Sequence, residues 1–222
     1  MPYALSLHDV CPVSKQTYLE DLVCAVFQAV TLALGIGAVA TLLTLAGVFG
    51  NAWHNVSFSI YGATLIIVYL FSMLYHATRH PERKRVLKSV DHATIHLLIA
   101  GTYTPFALVT LGGGWGWSIL GVVWGLAVVG IALQVAFGNR YRGVGVVLYL
   151  AMGWLMVIVI YPLVQSLPAW GVAWMVLGGL LFTGGVPFYL RKSLRFNHVV
   201  WHLFVLAGNA CFYFVILFFV LF

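Results

Sequence analysis

Residues Leu22 to Val48 read LVCAVFQAVTLALGIGAVATLLTLAGV, a run without a single Asp, Glu, Lys or Arg. A helix rises about 1.5 Å per residue, so the run exceeds the roughly 20 residues that cross a hydrocarbon core about 30 Å thick. It continues well past the Ala38-Val39-Ala40 triplet and is too long for a signal-peptide core, so this first helix is expected to remain in the mature protein. Working outward, similar apolar runs follow near 55–77, 90–110, 117–138, 144–165, 170–189 and 197–221. The breaks between runs are short, among them Gly112-Gly113-Gly114, Asn139 to Gly143 and the Leu167-Pro168 turn. Consecutive helices are therefore expected to be antiparallel neighbours.

With 63% hydrophobic and 7% charged residues in 222, the chain could not be water-soluble without exposing large apolar patches. The expected class is an all-α membrane protein, a seven-transmembrane helix bundle over residues 20–222 preceded by a short segment, residues 1–19. Arg79, Arg83, Lys84, Arg85 and Lys88 fall in the second loop, Arg140 and Arg142 in the fourth, and Arg191, Lys192 and Arg195 in the sixth, while Lys15 precedes the first helix. The first, third and fifth loops carry no Lys or Arg. The positive-inside rule then places the N-terminus in the cytoplasm and the C-terminus outside, with the chain multi-pass in the inner (plasma) membrane. Basic residues confined to short juxtamembrane loops give no nucleic-acid reading; membrane lipids are the expected partners.

The polar residues inside this frame concentrate at the basic end. Among the acidic residues only Asp91 begins an apolar span beyond the first helix, and an ionisable group there is a functional candidate. His76 ends the second helix, and His198 and His202 begin the seventh. The latter two are spaced i, i+4, so both project from one face about 6 Å apart, as two ligands of one metal require. Three imidazoles with one position left for water are the pattern of a catalytic zinc. Asp91 could serve as general base, and Ser72, one turn deeper than His76, could bind the water or a substrate carbonyl. His92 and His96 form a second i, i+4 pair and compete for the metal role. His54, at the opposite end, and His80, in the basic loop, are read as solvated, and His8 as uninformative. Cys11, Cys24 and Cys211 show no zinc or disulfide spacing and are read as packing. Pro105 reads as a kink whose freed carbonyl a hydroxyl satisfies, Gly121 and Gly125 as a small-residue packing face, and Gly178, Gly179, Gly184 and Gly185 as close helix packing or room for a lipid chain. Trp115, Trp117 and Trp170 fit an outer aromatic belt.

At these residues the sequence resembles the haemolysin III family, the bacterial branch of the progestin and adiponectin receptor family. The matching stretches are SMLYH (Ser72 to His76), DHATI (from Asp91), AGTYTPF (Ala100 to Phe106), LYLAMGW (Leu148 to Trp154) and HVVWHLFV (from His198). The resemblance implies seven helices with a cytoplasmic N-terminus and a zinc on three histidines that map to His76, His198 and His202, with the family aspartate at Asp91. Relatives often carry Asn and His early in the first helix, and Glu20 to Phe27 here has neither. The superfamily includes alkaline ceramidases, and the adiponectin receptors look like ceramide hydrolases. The implied function is thus a Zn2+-dependent hydrolase of a ceramide-like lipid amide near the cytoplasmic face. The rival expectation is a membrane-state sensor, regulator or haemolysin-like pore in which the zinc is structural, closed by Asp91 as a fourth ligand.

Overall fold

A computed structural model describes residues 17–138, 142–191 and 193–222, without the side chain of Arg142. His8, Cys11, Lys15, Arg140 and Lys192 lie outside the described residues. The first helix, α1 (Tyr18–Phe49), starts on a reciprocal cap: the Thr17 hydroxyl accepts the Glu20 N–H at 3.3 Å and the Glu20 carboxylate accepts the Thr17 N–H at 2.8 Å. Asn51 caps α2 (Ala52–Ala77) in the same way, with His54 Nδ1 accepting the Asn51 N–H. Far from being solvated, His54 also pairs through Nε2 with the Val220 carbonyl at 3.1 Å.

The third helix, α3 (Pro81–Pro105), begins well before the expected position 90. Pro81 suits a first turn because its missing N–H would have no partner there. The charged stretch Glu82 to Lys88 then winds as helix and carries Arg83, Lys84, Arg85 and Lys88 with it, so these are not loop residues. At its other end α3 widens into a π-helical segment, Phe106–Leu111, and the hydroxyls of Thr102 and Thr104 bond the Leu98 and Ala100 carbonyls around Pro105. The fourth helix is α4 (Gly113–Phe137).

The fifth apolar run is not one straight helix. It comprises α5 (Arg142–Trp154), a 3-10 turn at Leu155–Val157 and α6 (Ile160–Ser166), bent by 52°. Tyr103 of α3 donates its hydroxyl to the Met152 and Gly153 carbonyls at 2.9 and 2.8 Å, partnering groups at the end of α5. Pro162 stands in the first turn of α6, where its ring and missing donor are tolerated. The chain ends with α7 (Ala169–Leu190) and α8 (Asn197–Val215), which runs on as a π-helical segment, Ile216–Val220.

Six of these helices are long and apolar enough to cross a membrane, and the bent α5–α6 pair makes seven if it is one span. The chain is a multi-pass membrane protein, and no strand occurs among the described residues. Neighbours in sequence pack together from α1 to α4 and again from α7 to α8, while α1 also contacts α8. Each helix separates a buried stripe from an exposed one: in α1, Cys24, Gln28, Thr31, Gly35 and Val39 face inward and Val26, Val30 and Leu34 outward. Glycine permits the closest α2–α3 approach, because a Cβ on Gly101 would lie 2.0 Å from Thr64 Oγ1. Gly178 and Gly185 likewise admit Phe212 and Phe204 of α8, but Gly121 and Gly125 have no neighbour within 4 Å and form no packing face.

Candidate metal centre

The starts of α1, α3 and α8 and the end of α2 meet at one end of the bundle, the end that also carries the basic residues of α3. The buried face of α1 brings Asp21, Cys24 and Gln28 there at spacings i, i+3 and i+7. Asp21 is held in an ion pair by Lys84 and accepts the Nδ1–H of His76 at 3.1 Å. His76 Nε2 lies 3.2 Å from His202 Nε2, and the Gln28 side-chain amide lies 3.3 Å from His202 Nδ1. Lys84, Asp21, His76, His202 and Gln28 thus form one continuous polar chain, every member of it buried.

Its geometry suits a metal. Two nitrogens bound to one tetrahedral zinc at about 2.0–2.1 Å sit about 3.3 Å apart, close to the 3.2 Å found between the two Nε2 atoms. The outer nitrogen of each ring is engaged, His76 by a carboxylate and His202 by an amide, as metal-bound imidazoles commonly are. With both Nε2 lone pairs given to a metal, His202 Nδ1–H must donate, which requires the oxygen of the Gln28 amide to face it. Among the described residues Cys24, His76 and His202 are all buried, and their ligand atoms lie within 4.8 Å of one another. This group could hold a metal ion, and imidazole and thiol donors suit zinc far better than magnesium or calcium.

His198 stands beside the pair, its ring 5.0 Å from that of His76 and 4.6 Å from that of His202, but it is not one of the group whose ligand atoms converge. Its helix is aimed by Phe196, whose left-handed φ of 56° turns the chain into α8 and whose N–H is accepted by Glu20 at 2.8 Å. Asn197 adds a bond to the Phe188 carbonyl of α7 at 3.1 Å. Ser72 and Asp91, 2% and 5% exposed, lie across from the histidines. The Ser72 hydroxyl has no hydrogen-bond partner among the described residues.

Gln28, Ser72, Asp91, His198 and His202 all line one cavity, whose remaining wall is mostly apolar and runs past Tyr103, Leu163, Met175 and Phe212 toward the bent span. Gly179 borders this cavity, where its missing side chain leaves room. Of the competing histidines, His92 lines the same cavity without joining the converging group, and His96 lies outside its lining. His92 Nε2 meets the Tyr189 hydroxyl at 3.3 Å, and His96 packs on Tyr149 with ring centroids 4.4 Å apart.

Sequence reasoning placed His76 and His202 in the site but overlooked Asp21, Cys24, Gln28 and Lys84. The signal available was the stripe itself, since Asp21, Cys24 and Gln28 share one face of an otherwise apolar helix.

The profile of the family described as Haemolysin-III related matches residues 19–213. "Hemolysin-3" of Bacillus cereus is 40% identical over 202 residues, covering 91% of this chain and 92% of that protein. The "Hemolysin-3 homolog" of Bacillus subtilis (strain 168) is 40% identical over 203 residues, 91% and 95% of the two chains. "Monocyte to macrophage differentiation factor" of Homo sapiens is 25% identical over 174 residues, 75% and 71% of the two chains. Similarity along nearly the whole length shows that the chain belongs to the Haemolysin-III related family of membrane proteins, with progestin and adiponectin receptor-type proteins as distant relatives.

Proposed function

We propose that the protein is a zinc-dependent hydrolase of a ceramide-like lipid amide. The observation that carries this reading is the pair of buried imidazole nitrogens, 3.2 Å apart, at a mostly apolar cavity that also presents a carboxylate and a hydroxyl. His76 and His202 are the imidazoles we assign to Zn2+, and His198 stands beside them. Bound there, the ion would supply a Lewis acid and lower the pKa of water to about 7.

The protein's own groups divide the remaining work. Asp21 and Gln28 keep the two rings aimed, and Lys84 holds Asp21 in place. The lipid chain lies along the apolar wall, which brings the amide carbonyl to Ser72, whose hydroxyl donates to the carbonyl oxygen. Asp91 takes a proton from the attacking water as the carbon–oxygen bond forms, then passes it to the departing amine nitrogen as the carbon–nitrogen bond breaks, leaving a fatty acid and an amine. The Lys and Arg bias assigns this end to the cytoplasmic side of the plasma membrane. Impermeant labelling, from outside intact cells, of a cysteine introduced at Arg85 would reverse that orientation.

The test measures zinc content together with release of fatty acid from a panel of ceramides and N-acyl lipids. Zinc-loaded wild type is expected to hydrolyse at least one class. Asp91→Asn is expected to keep its zinc while turnover falls about 100-fold or more, the usual scale for losing general acid–base help. The name of the bacillary relatives motivates the rival, a pore or regulator with a structural ion. An inert zinc-loaded wild type, combined with metal loss in Asp91→Asn, would select that rival, because a ligand carboxylate contributes to affinity and folding alike.

A further inference from the structure

We infer that Cys24 is a thiolate ligand of the ion that His76 and His202 bind. The inference rests on the metal-site reading above and extends it to a residue of α1. Cys24 is fully buried, and its sulfur belongs to the group of ligand atoms within 4.8 Å of one another. Its place on the helix explains why it points there. Asp21, one turn before it, holds the His76 ring, and Gln28, one turn after it, meets His202. The side chain between those two contacts faces the gap between the two rings.

Distances agree with the assignment. With zinc–sulfur and zinc–nitrogen bonds of about 2.3 and 2.05 Å, a tetrahedral sulfur–nitrogen edge measures about 3.6 Å.

Charge makes the stronger argument. A dication in a low-dielectric site is held more tightly when anionic groups face it. Asp21 cannot serve fully, because its negative charge is already matched by Lys84. The anions left facing the pair are the Asp91 carboxylate and a Cys24 thiolate, and together they neutralise the dication. Binding forms a metal–sulfur bond and releases the thiol proton to water. With sulfur on the α1 side, the approach that stays open is the side of Ser72 and Asp91, which faces the cavity.

The experiment uses the full chain in detergent, stripped with a chelator and reloaded with Co2+, whose spectrum distinguishes sulfur from nitrogen and oxygen ligands. Wild type and Cys211→Ala are expected to show intense near-ultraviolet sulfur-to-cobalt charge transfer along with visible d–d bands. Cys24→Ala and Cys24→Ser, the second retaining the packing volume, are expected to lose the charge-transfer band and keep the d–d bands. Wild type with d–d bands and no charge transfer would overturn the Cys24 assignment while leaving the metal site standing. Charge transfer that survives in Cys24→Ser would overturn it as well, and name another thiol. A wild type that binds neither cobalt nor zinc would remove the metal reading and this inference with it.

Discussion

Two histidine pairs share an i, i+4 spacing, His92 and His96 on α3 and His198 and His202 on α8, and they meet different fates. His202 is joined to His76 and to the amide of Gln28. His96 is 1% exposed, and neither ring nitrogen has a hydrogen-bond partner among the described residues. The difference lies in the opposing helix. Against His202, α1 and α2 present Cys24, Gln28 and His76; against His96, α4 presents Gly130, where a Cβ would sit 2.1 Å from the ring. Spacing along one helix sets which imidazoles could act together. The neighbouring helix decides which of them do.

The comparison breaks most sharply at the metal. His202→Ala is expected to reduce zinc from about one ion per chain to near none by elemental analysis, because it removes a ligand outright. The His92→Ala, His96→Ala double variant is expected to retain it. The opposite pattern would mean that the site belongs to α3.

A smaller effect is expected one contact away. Asp21→Asn leaves the His76 ring without its carboxylate and should weaken zinc affinity roughly 10–100-fold, the range found when such an outer partner is lost. Competition with a metallochromic chelator measures this. An unchanged affinity would reduce the Asp21–His76 bond to packing.

The smallest change is expected at His96. His96→Leu exchanges two unpartnered buried nitrogens, each costing about 1–3 kcal/mol, for a side chain of similar volume. Zinc content should not move, and the Tm in detergent should be no lower than that of wild type. A marked fall in Tm would show that the ring has a partner that stabilises the fold.

The seven apolar runs were legible because a membrane span imposes length and hydropathy on the sequence directly. The start of α3 was not, since Glu82 to Lys88 is as hydrophilic as a loop and becomes helix through Pro81 and the continuation of the span below. Nor was the bend after Trp154, where the sequence stays uniformly apolar; the groups that partner its carbonyls come from Tyr103, some 50 positions earlier. At the site, His76 and His202 were visible as polar residues at matching depth. Asp21 and Cys24 were not, because Asp21 precedes the first apolar run and a cysteine inside such a run reads as packing. Both belonged to a polar stripe on α1 that a face-by-face reading of that helix displays.

Glu20 gives the bundle a property that follows from its two bonds. One carboxylate oxygen holds the Thr17 N–H that starts α1, and the other holds the Phe196 N–H that leads into α8. The axial position of His202 relative to Cys24 and Gln28 is therefore tied directly between the two helices. The start of α8 is thus registered to the start of α1 by a bond from its own backbone, which sets the imidazoles of one helix against the thiol and amide of the other.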